Sequence, residues 1–459
     1  MMKLSEDKKT DKRFNRMQWR MLFATMIGYT LFYFMRKNFS FAMPGLQQDC
    51  GISKSMLGNF LFWGGIVYGL SKFLNGIIGD KVNPRRMLCF GLLACTLVNV
   101  AFGFAPLVAT SPSSLAWTFG ILLVVNQFFQ GTGFPPCAKL IAFWIPPKEL
   151  ATKMSVWNTS HSIGGGLVAK ICGVIMGLGV IGAANQGVGM WRWCFWSMAA
   201  LGFLGLVLMI FWLPGTPKDE GLPDLTGTEV GEGRDEAHGE ETHNSQLSTH
   251  NTALHMVFLN PVIWMLGVAN FTINAVRALI ADWGPTMLQE AKGFDPGSTG
   301  TVIMLFEFAG IAGMLFAGWA TDRFFGGRAP RLCVFLMALT AGLLAAFWFL
   351  PAGVAGATAL CLGGFCLYGP QALTGVTATN ISTKHFAGTS IGFISLFSYV
   401  GASVAGKVCG NLAQSFGGWR LPLLVMVATA AVGAVVFLCL WCVRANAYAT
   451  SGTSPEKGA

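Results

Sequence analysis

Charged side chains are scarce in this sequence of 459 residues, where they make up 11% of the chain. Ordinary soluble domains carry about 25%. Hydrophobic residues make up 53%, and they lie in runs of about 20 residues, the length that crosses a hydrocarbon core about 30 Å thick. The shortage of charge therefore excludes an ordinary soluble domain, and the apolar runs indicate an α-helical membrane protein with many spans.

Motifs of enzymes and metalloproteins are scarce as well. The sequence contains no P-loop, no His-Glu-x-x-His motif and no pair of carboxylates within one apolar run. We expect no enzyme, no catalytic residue, no metal ion and no cofactor. The net charge of +10 comes from basic loops, and we expect no nucleic-acid partner; the lipid bilayer is the surrounding medium.

The apolar runs predict twelve transmembrane helices. They lie at about 20–46, 56–78, 87–107, 115–142, 152–183, 191–213, 258–289, 298–320, 332–351, 355–380, 386–415 and 419–443. Lysine and arginine concentrate before the first span and after the even-numbered spans, as at Arg13, Arg85, Lys153 and Arg323. By the positive-inside rule, both termini are predicted to be cytoplasmic.

The polar stretch 214–257 contains many Gly, Glu, Thr and Ser residues, and it predicts a flexible cytoplasmic linker. The linker separates two six-helix halves, 20–213 and 258–443. A cytoplasmic segment, 1–19, precedes the first half, and a cytoplasmic tail, 444–459, follows the second.

The two halves repeat each other at a nearly constant offset. Arg36 and Arg277 are 241 residues apart, Asp80 and Asp322 are 242 apart within similar Gly-x-x-x-Asp-basic motifs, and Lys170 and Lys407 are 237 apart. Both halves start on the same side, so they are parallel repeats about an axis along the membrane normal. This is the major facilitator plan, which places a substrate site near the midplane between the halves.

Arg36 and Arg277 place charges within membrane spans, which is energetically unfavourable. Arg36 lies about 15 residues inside its span, roughly 22 Å along the helix, where a charge costs at least about 2.5–3.5 kcal/mol. Each arginine can pair with a carboxylate, Glu307 or Asp282. Their symmetric placement instead favours one shared anion, and the bidentate guanidinium suits phosphate.

Other polar residues in the spans extend the predicted site. Lys72, His161 and Lys407 are basic, although His161 can serve helix packing and Lys407 can snorkel to an interface. The sequence has only six tyrosines, and four of them are predicted to line the spans: Tyr33, Tyr68, Tyr368 and Tyr399.

These residues lie in motifs that resemble the organophosphate:phosphate antiporters of the major facilitator superfamily, over nearly the whole chain. The motifs are Tyr33-Phe-Met-Arg36-Lys37-Asn38, Ser71-Lys72-Phe73, Gln130-Gly131, Pro135-Pro136-Cys137, Trp157-Asn158, Gly164-Gly165-Gly166, Asp282-Trp283, Tyr368-Gly369-Pro370 and Ala387-Gly388-Thr389. The resemblance implies exchange of an organophosphate for inorganic phosphate across a bacterial inner membrane, and we expect a monomer.

The resemblance also implies roles for individual residues. Arg36 and Arg277 would bind phosphate with help from Lys72 and His161, while Tyr33, Tyr68, Asn158, Tyr368 and Tyr399 would line the site. Glu307, Asp282, Asp80 and Asp322 would form ion pairs or act in conformational change.

One departure bears on the substrate. Glycerol-3-phosphate members of the family carry tyrosine three residues before the second arginine, where this chain has Asn274. The stretch from Arg277 to Trp283 is closer to hexose-phosphate members and to a bacterial sugar-phosphate sensor, and Lys407 fits hexose-phosphate members too. We therefore expect glucose-6-phosphate or a related hexose phosphate.

Three other functions stay open. A sensor branch of the family would bind sugar phosphate and signal to a membrane histidine kinase. A glycerol-3-phosphate:phosphate antiporter would share the arginines. A proton-coupled exporter would need a titrating carboxylate within a span, for which Glu307 is the best residue.

Overall fold

The structure is a computed structural model that describes residues 2–109, 111–181, 189–222, 257–382 and 387–443, of which residues 2–11, 80, 147–148, 150–152, 179–181 and 387–388 are described by their backbone only. The long helices of the first half are α1 Met2–Cys50, α2 Lys54–Lys81, α3 Pro84–Val108, α4 Pro112–Gln130, α5 Phe134–Trp144, α6 Pro147–Ile181 and α7 Trp191–Trp212. Those of the second half are α8 Pro261–Asp282, α9 Gly284–Lys292, α10 Pro296–Phe324, α11 Ala329–Phe349, α12 Val354–Ile381, α13 Ala387–Ser415 and α14 Arg420–Cys439.

Eleven helical segments of the described chain are long and apolar enough to cross a membrane. They coincide with the second to the twelfth predicted spans. The predicted span 115–142 is formed by α4 and α5 together. The first predicted span lies within α1, where Arg36 and Lys37 interrupt the apolar run. The predicted class, an all-α membrane protein with the major facilitator fold, is confirmed.

The chain divides into two compact units. The first contains Met1–Ile52 and Val67–Ala237, and the second contains Ser53–Ile66 and His238–Ala459. The beginning of α2 thus belongs with the second unit, although the rest of that helix belongs with the first. The predicted half boundaries stay a prediction, and most of the predicted linker and the whole tail, 444–459, lie outside the described residues.

Each repeat contains a carboxylate that holds the tryptophan at the start of its sixth predicted span. In the first unit, Oδ2 of Asp49 accepts hydrogen bonds from the indole Nε1 of Trp191 at 3.0 Å and from the backbone N of Gly189 at 2.7 Å. In the second unit, Oε2 of Glu290 accepts a hydrogen bond from Nε1 of Trp419 at 2.8 Å.

The two clasps are related by the duplication. Asp49 and Glu290 are 241 residues apart, the same offset as the two arginines. Both tryptophans come two residues after a glycine with a left-handed backbone, Gly189 at φ 79° and Gly417 at φ 65°, a conformation that costs glycine little. The clasps differ in their second partner, because Glu290 also pairs with Lys54 at 2.7 Å.

We expect the clasps to stabilise each unit separately. Asp49→Ala and Glu290→Ala should each lower the free energy of unfolding by about 1 kcal/mol, because each removes a charged acceptor that is partly screened by solvent. The losses should add in the double variant, since the clasps share no partner. Thermal unfolding in detergent measures this.

Glu149→Ala is the matched control. Glu149 is an exposed carboxylate that pairs with Lys153 four residues later on one helix, so its removal should change stability by less than about 0.5 kcal/mol. Clasp variants that unfold at the control's temperature would contradict the assignment.

Candidate functional site

Arg36 on α1 lies against two tyrosine rings. Its guanidinium carbon is 4.1 Å from the ring centroid of Tyr68 on α2 and 5.5 Å from that of Tyr33, one turn earlier on α1. A desolvated cation over an aromatic face gains about 2 kcal/mol. The structure therefore brings together three residues of the predicted site in the first unit.

Lys72 adds a second positive charge to this group. It lies one turn beyond Tyr68 on α2, and its Nζ is 4.1 Å from the ring centroid of Phe134. Arg36 and Lys72 are both close enough to Tyr68 to act electrostatically on its hydroxyl group. The end of α4 packs closely here, since a Cβ on Gly131 would lie 2.8 Å from the backbone N of Lys72.

His161 on α6 completes the cluster from another side. Its ring centroid is 5.9 Å from that of Tyr33, and its side chain is buried. Its Nδ1 bonds the backbone oxygen of Asn158, and its Nε2 is 3.2 Å from Oγ of Ser162. A Cβ on Gly164 would lie 2.7 Å from Cβ of Tyr33, so this glycine allows α6 to approach α1. Both His161 nitrogens thus have partners on α6 itself, and the Asn158 side chain is exposed.

Tyr29 is a member of the cluster that the sequence analysis missed. It is buried, and its ring lies 5.5 Å from Tyr33 and 4.8 Å from Trp157. The signal was present in the spacing, because Tyr29, Tyr33 and Arg36 follow the i, i+4, i+7 pattern of one helix face.

Arg277 on α8 is the centre of a closed triangle in the second unit. Its Nε donates to the hydroxyl of Tyr368 at 2.7 Å, and its Nη2 lies 3.4 Å from Oε1 of Glu307. The Tyr368 hydroxyl donates to Oε2 of Glu307 at 2.5 Å. The carboxylate alternative is therefore observed for Arg277, with Glu307 as its partner. Removing one member of such a buried pair typically costs about 3–5 kcal/mol.

Glycines allow α10 and α12 to bring Glu307 and Tyr368 together. A Cβ on Gly310 would lie 2.7 Å from the Tyr368 ring, and one on Gly313 would lie 1.9 Å from the Phe365 oxygen. Only glycine fits at these positions, as is common where membrane helices pack closely. Tyr368 and Glu307 are 0% and 2% exposed, so these two partners of Arg277 are buried.

The environments of the two arginines differ along their own helices. At the repeat offset of 241, Tyr29 and Tyr33 correspond to Asn270 and Asn274. The amide of Asn274 donates to the backbone oxygen of Asn270 at 2.9 Å, whereas the corresponding tyrosine rings of the first unit meet edge to face. The predicted departure at Asn274 is thus part of a wider change from aromatic to amide side chains.

Lys407 has different neighbours from the Arg277 triangle. Its Nζ is 5.1 Å from the ring centroid of Phe62, and it forms no ion pair with the carboxylates of the described residues. Gly58, in the α2 segment that belongs to this unit, packs against the backbone of Lys407. A Cβ on Gly58 would lie 3.2 Å from the Cα of Lys407. The structure therefore places Lys407 beside the start of α2.

The remaining predicted residues are scattered. Tyr399 is half-buried on α13, and Asp282 is half-buried at the end of α8 and close enough to act electrostatically on Cys409. Asp322 is exposed on α10, while the side chain of Asp80 lies outside the described part of the chain.

One sequence motif of hydrolases occurs in the chain, but its surroundings do not fit catalysis. Residues 388–392 match the Gly-x-Ser-x-Gly pattern, but they lie inside α13, and Ser390 is 0% exposed. A nucleophile elbow instead needs an exposed serine on a strand-to-helix turn. The described His, Cys, Asp and Glu residues form no group of three that could hold a metal ion.

Residues 25–406 match the Major Facilitator Superfamily. Over 440 residues the chain is 34% identical to the glycerol-3-phosphate transporter of Bacillus subtilis, covering 95% of this chain and 94% of the relative. It is 33% identical over 455 residues to a probable hexose phosphate transport protein of Chlamydia trachomatis, with the same two coverages. It is 34% identical over 441 residues to the membrane sensor protein UhpC of Escherichia coli, covering 94% and 93%.

Among solved structures, a D-xylose-proton symporter matches with a TM-score of 0.73 and 14% identity, over 91% of this chain and 97% of that chain. At that identity the likeness shows the fold alone. The chain belongs to the organophosphate:phosphate antiporter family of the major facilitator superfamily, and the resemblance inferred from its motifs is confirmed.

We expect Tyr368→Phe to destabilise the second unit by about 1–3 kcal/mol. The variant keeps the ring but leaves Nε of Arg277 without its acceptor and one Glu307 oxygen without its donor, and orphaned buried partners cost about that much. Thermal unfolding in detergent, in the absence of phosphate, measures this.

Thr340→Val is the control. Thr340 is buried in the same unit, but its hydroxyl bonds only the Leu336 oxygen of its own helix, so its loss should be small. If both variants unfold together, the triangle contributes nothing special to stability.

Proposed function

We propose that this protein is a secondary transporter that exchanges a hexose phosphate, glucose-6-phosphate or a close relative, for inorganic phosphate by alternating access. The observation that carries the proposal is the pair of arginines at equivalent positions of the two repeats, each held against a tyrosine ring. A phosphate group accepts two parallel hydrogen bonds from a guanidinium, so an arginine in each repeat suits a phosphorylated substrate.

The first unit offers the phosphate an electropositive surface. Arg36 and Lys72 both lie beside Tyr68, and His161 lies beside Tyr33. The guanidinium of Arg36 lies over the aromatic faces of Tyr33 and Tyr68, and a phosphate group would add charge-assisted hydrogen bonds to these contacts. We assign phosphate binding to Arg36 and Lys72, with help from His161, and we assign lining to Tyr33, Tyr68 and Asn158.

The second unit offers a cation that an anion has to share. Arg277 donates through Nε to Tyr368 at 2.7 Å, while its distance to Glu307 is 3.4 Å, at the long end for a charge-assisted bond. A phosphate dianion carries more charge than Glu307 and can compete with that carboxylate for the guanidinium of Arg277. Binding therefore changes the partners of Arg277, which couples substrate to conformation.

The choice of substrate rests on few residues. Identity does not decide it, because the relatives named as glycerol-3-phosphate and hexose phosphate transporters are 34% and 33% identical to this chain. By its resemblance to the family, the chain has Asn274 at the position where glycerol-3-phosphate members carry tyrosine. Lys407 supplies an additional cation. We assign sugar discrimination to Asn274, Lys407 and Tyr399, with Tyr368 serving mainly Arg277.

The proposal includes location. We place the protein in a bacterial cytoplasmic membrane, as a monomer. Both termini are assigned to the cytoplasm, because lysine and arginine concentrate in the loops on that side. The relatives named above are bacterial.

Exchange is tested in proteoliposomes. We expect rapid uptake of labelled phosphate into vesicles loaded with phosphate and little uptake into empty vesicles, because reorientation requires a bound anion that satisfies both arginines. Glucose-6-phosphate should compete better than glycerol-3-phosphate. Equal uptake by loaded and empty vesicles would exclude obligatory exchange, and the reverse order of competition would exclude the hexose phosphate assignment.

The arginines are tested by charge-conserving substitutions. Arg36→Lys and Arg277→Lys should each weaken phosphate binding by roughly 10- to 150-fold, because lysine keeps the charge but loses the bidentate fork, and one charge-assisted bond contributes about 1.5–3 kcal/mol. Binding to purified protein is measured by calorimetry. Lys292→Arg is the control, since Lys292 bonds the Trp348 and Leu350 oxygens outside the proposed site. Near-parental phosphate affinity in both arginine variants would assign these residues to structure alone.

A sensor is the second function that a specific observation favours, namely the 34% identity to the membrane sensor protein UhpC. A sensor of sugar phosphate would bind its ligand and signal to a partner such as a histidine kinase. The proteoliposome experiment separates the two, because a sensor binds glucose-6-phosphate without exchanging it.

A further inference from the structure

Amide side chains from α3 and α4 bond the backbone of α1 next to Arg36. The Met35 oxygen accepts hydrogen bonds from Nδ2 of Asn126 at 2.8 Å and from Nδ2 of Asn99 at 3.3 Å. One turn earlier, the Phe32 oxygen accepts a hydrogen bond from Nε2 of Gln130 at 2.9 Å. These carbonyls already serve the α1 helix, so the amides use their second lone pairs.

The three donors are built into the interior of the first unit. Asn99, Asn126 and Gln130 are 0%, 2% and 4% exposed. A buried amide in a membrane span is costly unless it is bonded. Asn38 of α1 extends the network, because its Nδ2 donates to Oδ1 of Asn99 at 2.7 Å. We call Asn99, Asn126 and Gln130 the amide clamp.

The bonds of the clamp fix two degrees of freedom of α1. Each residue of an α-helix adds about 100° of rotation and 1.5 Å of rise, and apolar packing against neighbouring helices discriminates weakly between nearby rotations. Hydrogen bonds to two carbonyls one turn apart select one rotation and one height. Phe32 and Met35 directly precede Tyr33 and Arg36, so the selected rotation also directs these two side chains.

We propose that Asn99, Asn126 and Gln130 are positioning residues that hold α1 so that the Arg36 guanidinium lies against the rings of Tyr33 and Tyr68, in position to bind a phosphate group. The inference rests on the proposed function for its consequence, though not for its geometry. Arg277 is oriented by its own side-chain bonds to Tyr368 and Glu307. The clamp acts on Arg36 through the backbone of its helix.

The clamp is tested with Asn126→Leu and Gln130→Met, which keep size and remove the donor. We expect each to weaken phosphate binding by roughly tenfold, the upper range for one neutral hydrogen bond, and to raise the half-saturation concentration for exchange more than it lowers the maximal rate. A structural role alone would lower yield and melting temperature without moving the affinity of the folded protein.

Thr96→Val is the matched control. Thr96 is 0% exposed and touches Sδ of Met35 at 3.1 Å, but its hydroxyl also bonds the Leu92 oxygen of its own helix. Its loss leaves both α1 carbonyls bonded to the clamp. We expect its phosphate affinity to stay within about twofold of the parent, since only a weak sulfur contact is lost.

A pH profile supplies a second readout. In Gln130→Glu, the neutral carboxyl can donate its O–H to the Phe32 oxygen, whereas the ionised carboxylate has no donor. The phosphate affinity of this variant, divided by that of the parent at each pH, should therefore be near one at low pH and fall as the pH rises. A ratio that is independent of pH would overturn the assignment of Gln130.

Amide hydrogen exchange tests the geometry without phosphate. Exchange of the α1 peptide that spans residues 29–40 should speed up in Asn126→Leu and Gln130→Met, but not in Thr96→Val. The inference is wrong if the two clamp variants fold, bind phosphate like the parent and show the same amide hydrogen exchange as the control. If the parent itself fails to bind phosphate, the proposed function fails. In that case, unchanged amide hydrogen exchange in the two clamp variants would still reject the clamp.

Discussion

A cation inside hydrocarbon has to be given partners, and the arrangement of both units depends on how this is done. In the first unit, Arg36 lies on the aromatic faces of Tyr33 and Tyr68. In the second, Arg277 is tied to a buried carboxylate and a tyrosine hydroxyl. The first arrangement relies on aromatic contacts, whereas the second adds a carboxylate.

Duplication supplied two copies of the same frame, and later changes made them unequal. The arginines and the carboxylates of the tryptophan clasps keep the same offset of 241 residues. Around that frame, Tyr29 and Tyr33 of the first repeat correspond to Asn270 and Asn274 of the second. The two arginines therefore have different neighbours on their own helices.

Two features of helix packing position the side chains around the arginines: close approach of helix backbones at glycines, and hydrogen bonds from amide side chains to a helix backbone. Gly310 and Gly313 let α10 lie close to α12, which places Glu307 beside Tyr368. In the first unit, Asn99 and Asn126 bond the Met35 oxygen. Both devices follow from the bilayer, where helices gain nothing from excluding water and associate through close packing and hydrogen bonds.

The amino-acid sequence determined much of this protein, because its strongest signals are local or repetitive. Apolar runs of membrane length fixed the helices, and a constant offset between Arg36 and Arg277 revealed the duplication. The family motifs pointed to the residues that we propose to form the site. Even the first span was recognisable, although Arg36 and Lys37 lower its hydropathy.

Tertiary structure decided the partners, because those are set by contacts between residues far apart in the chain. Glu307 and Asp282 were equal alternatives for Arg277 in the sequence, and helix packing through glycines selected Glu307. The sequence suggested a site role or snorkelling for Lys407, and the structure places its Nζ 5.1 Å from the ring centroid of Phe62 on α2. The amide bonds to α1 could not be read from periodicity, since an amide on a helix gives no sign of which carbonyl it will meet.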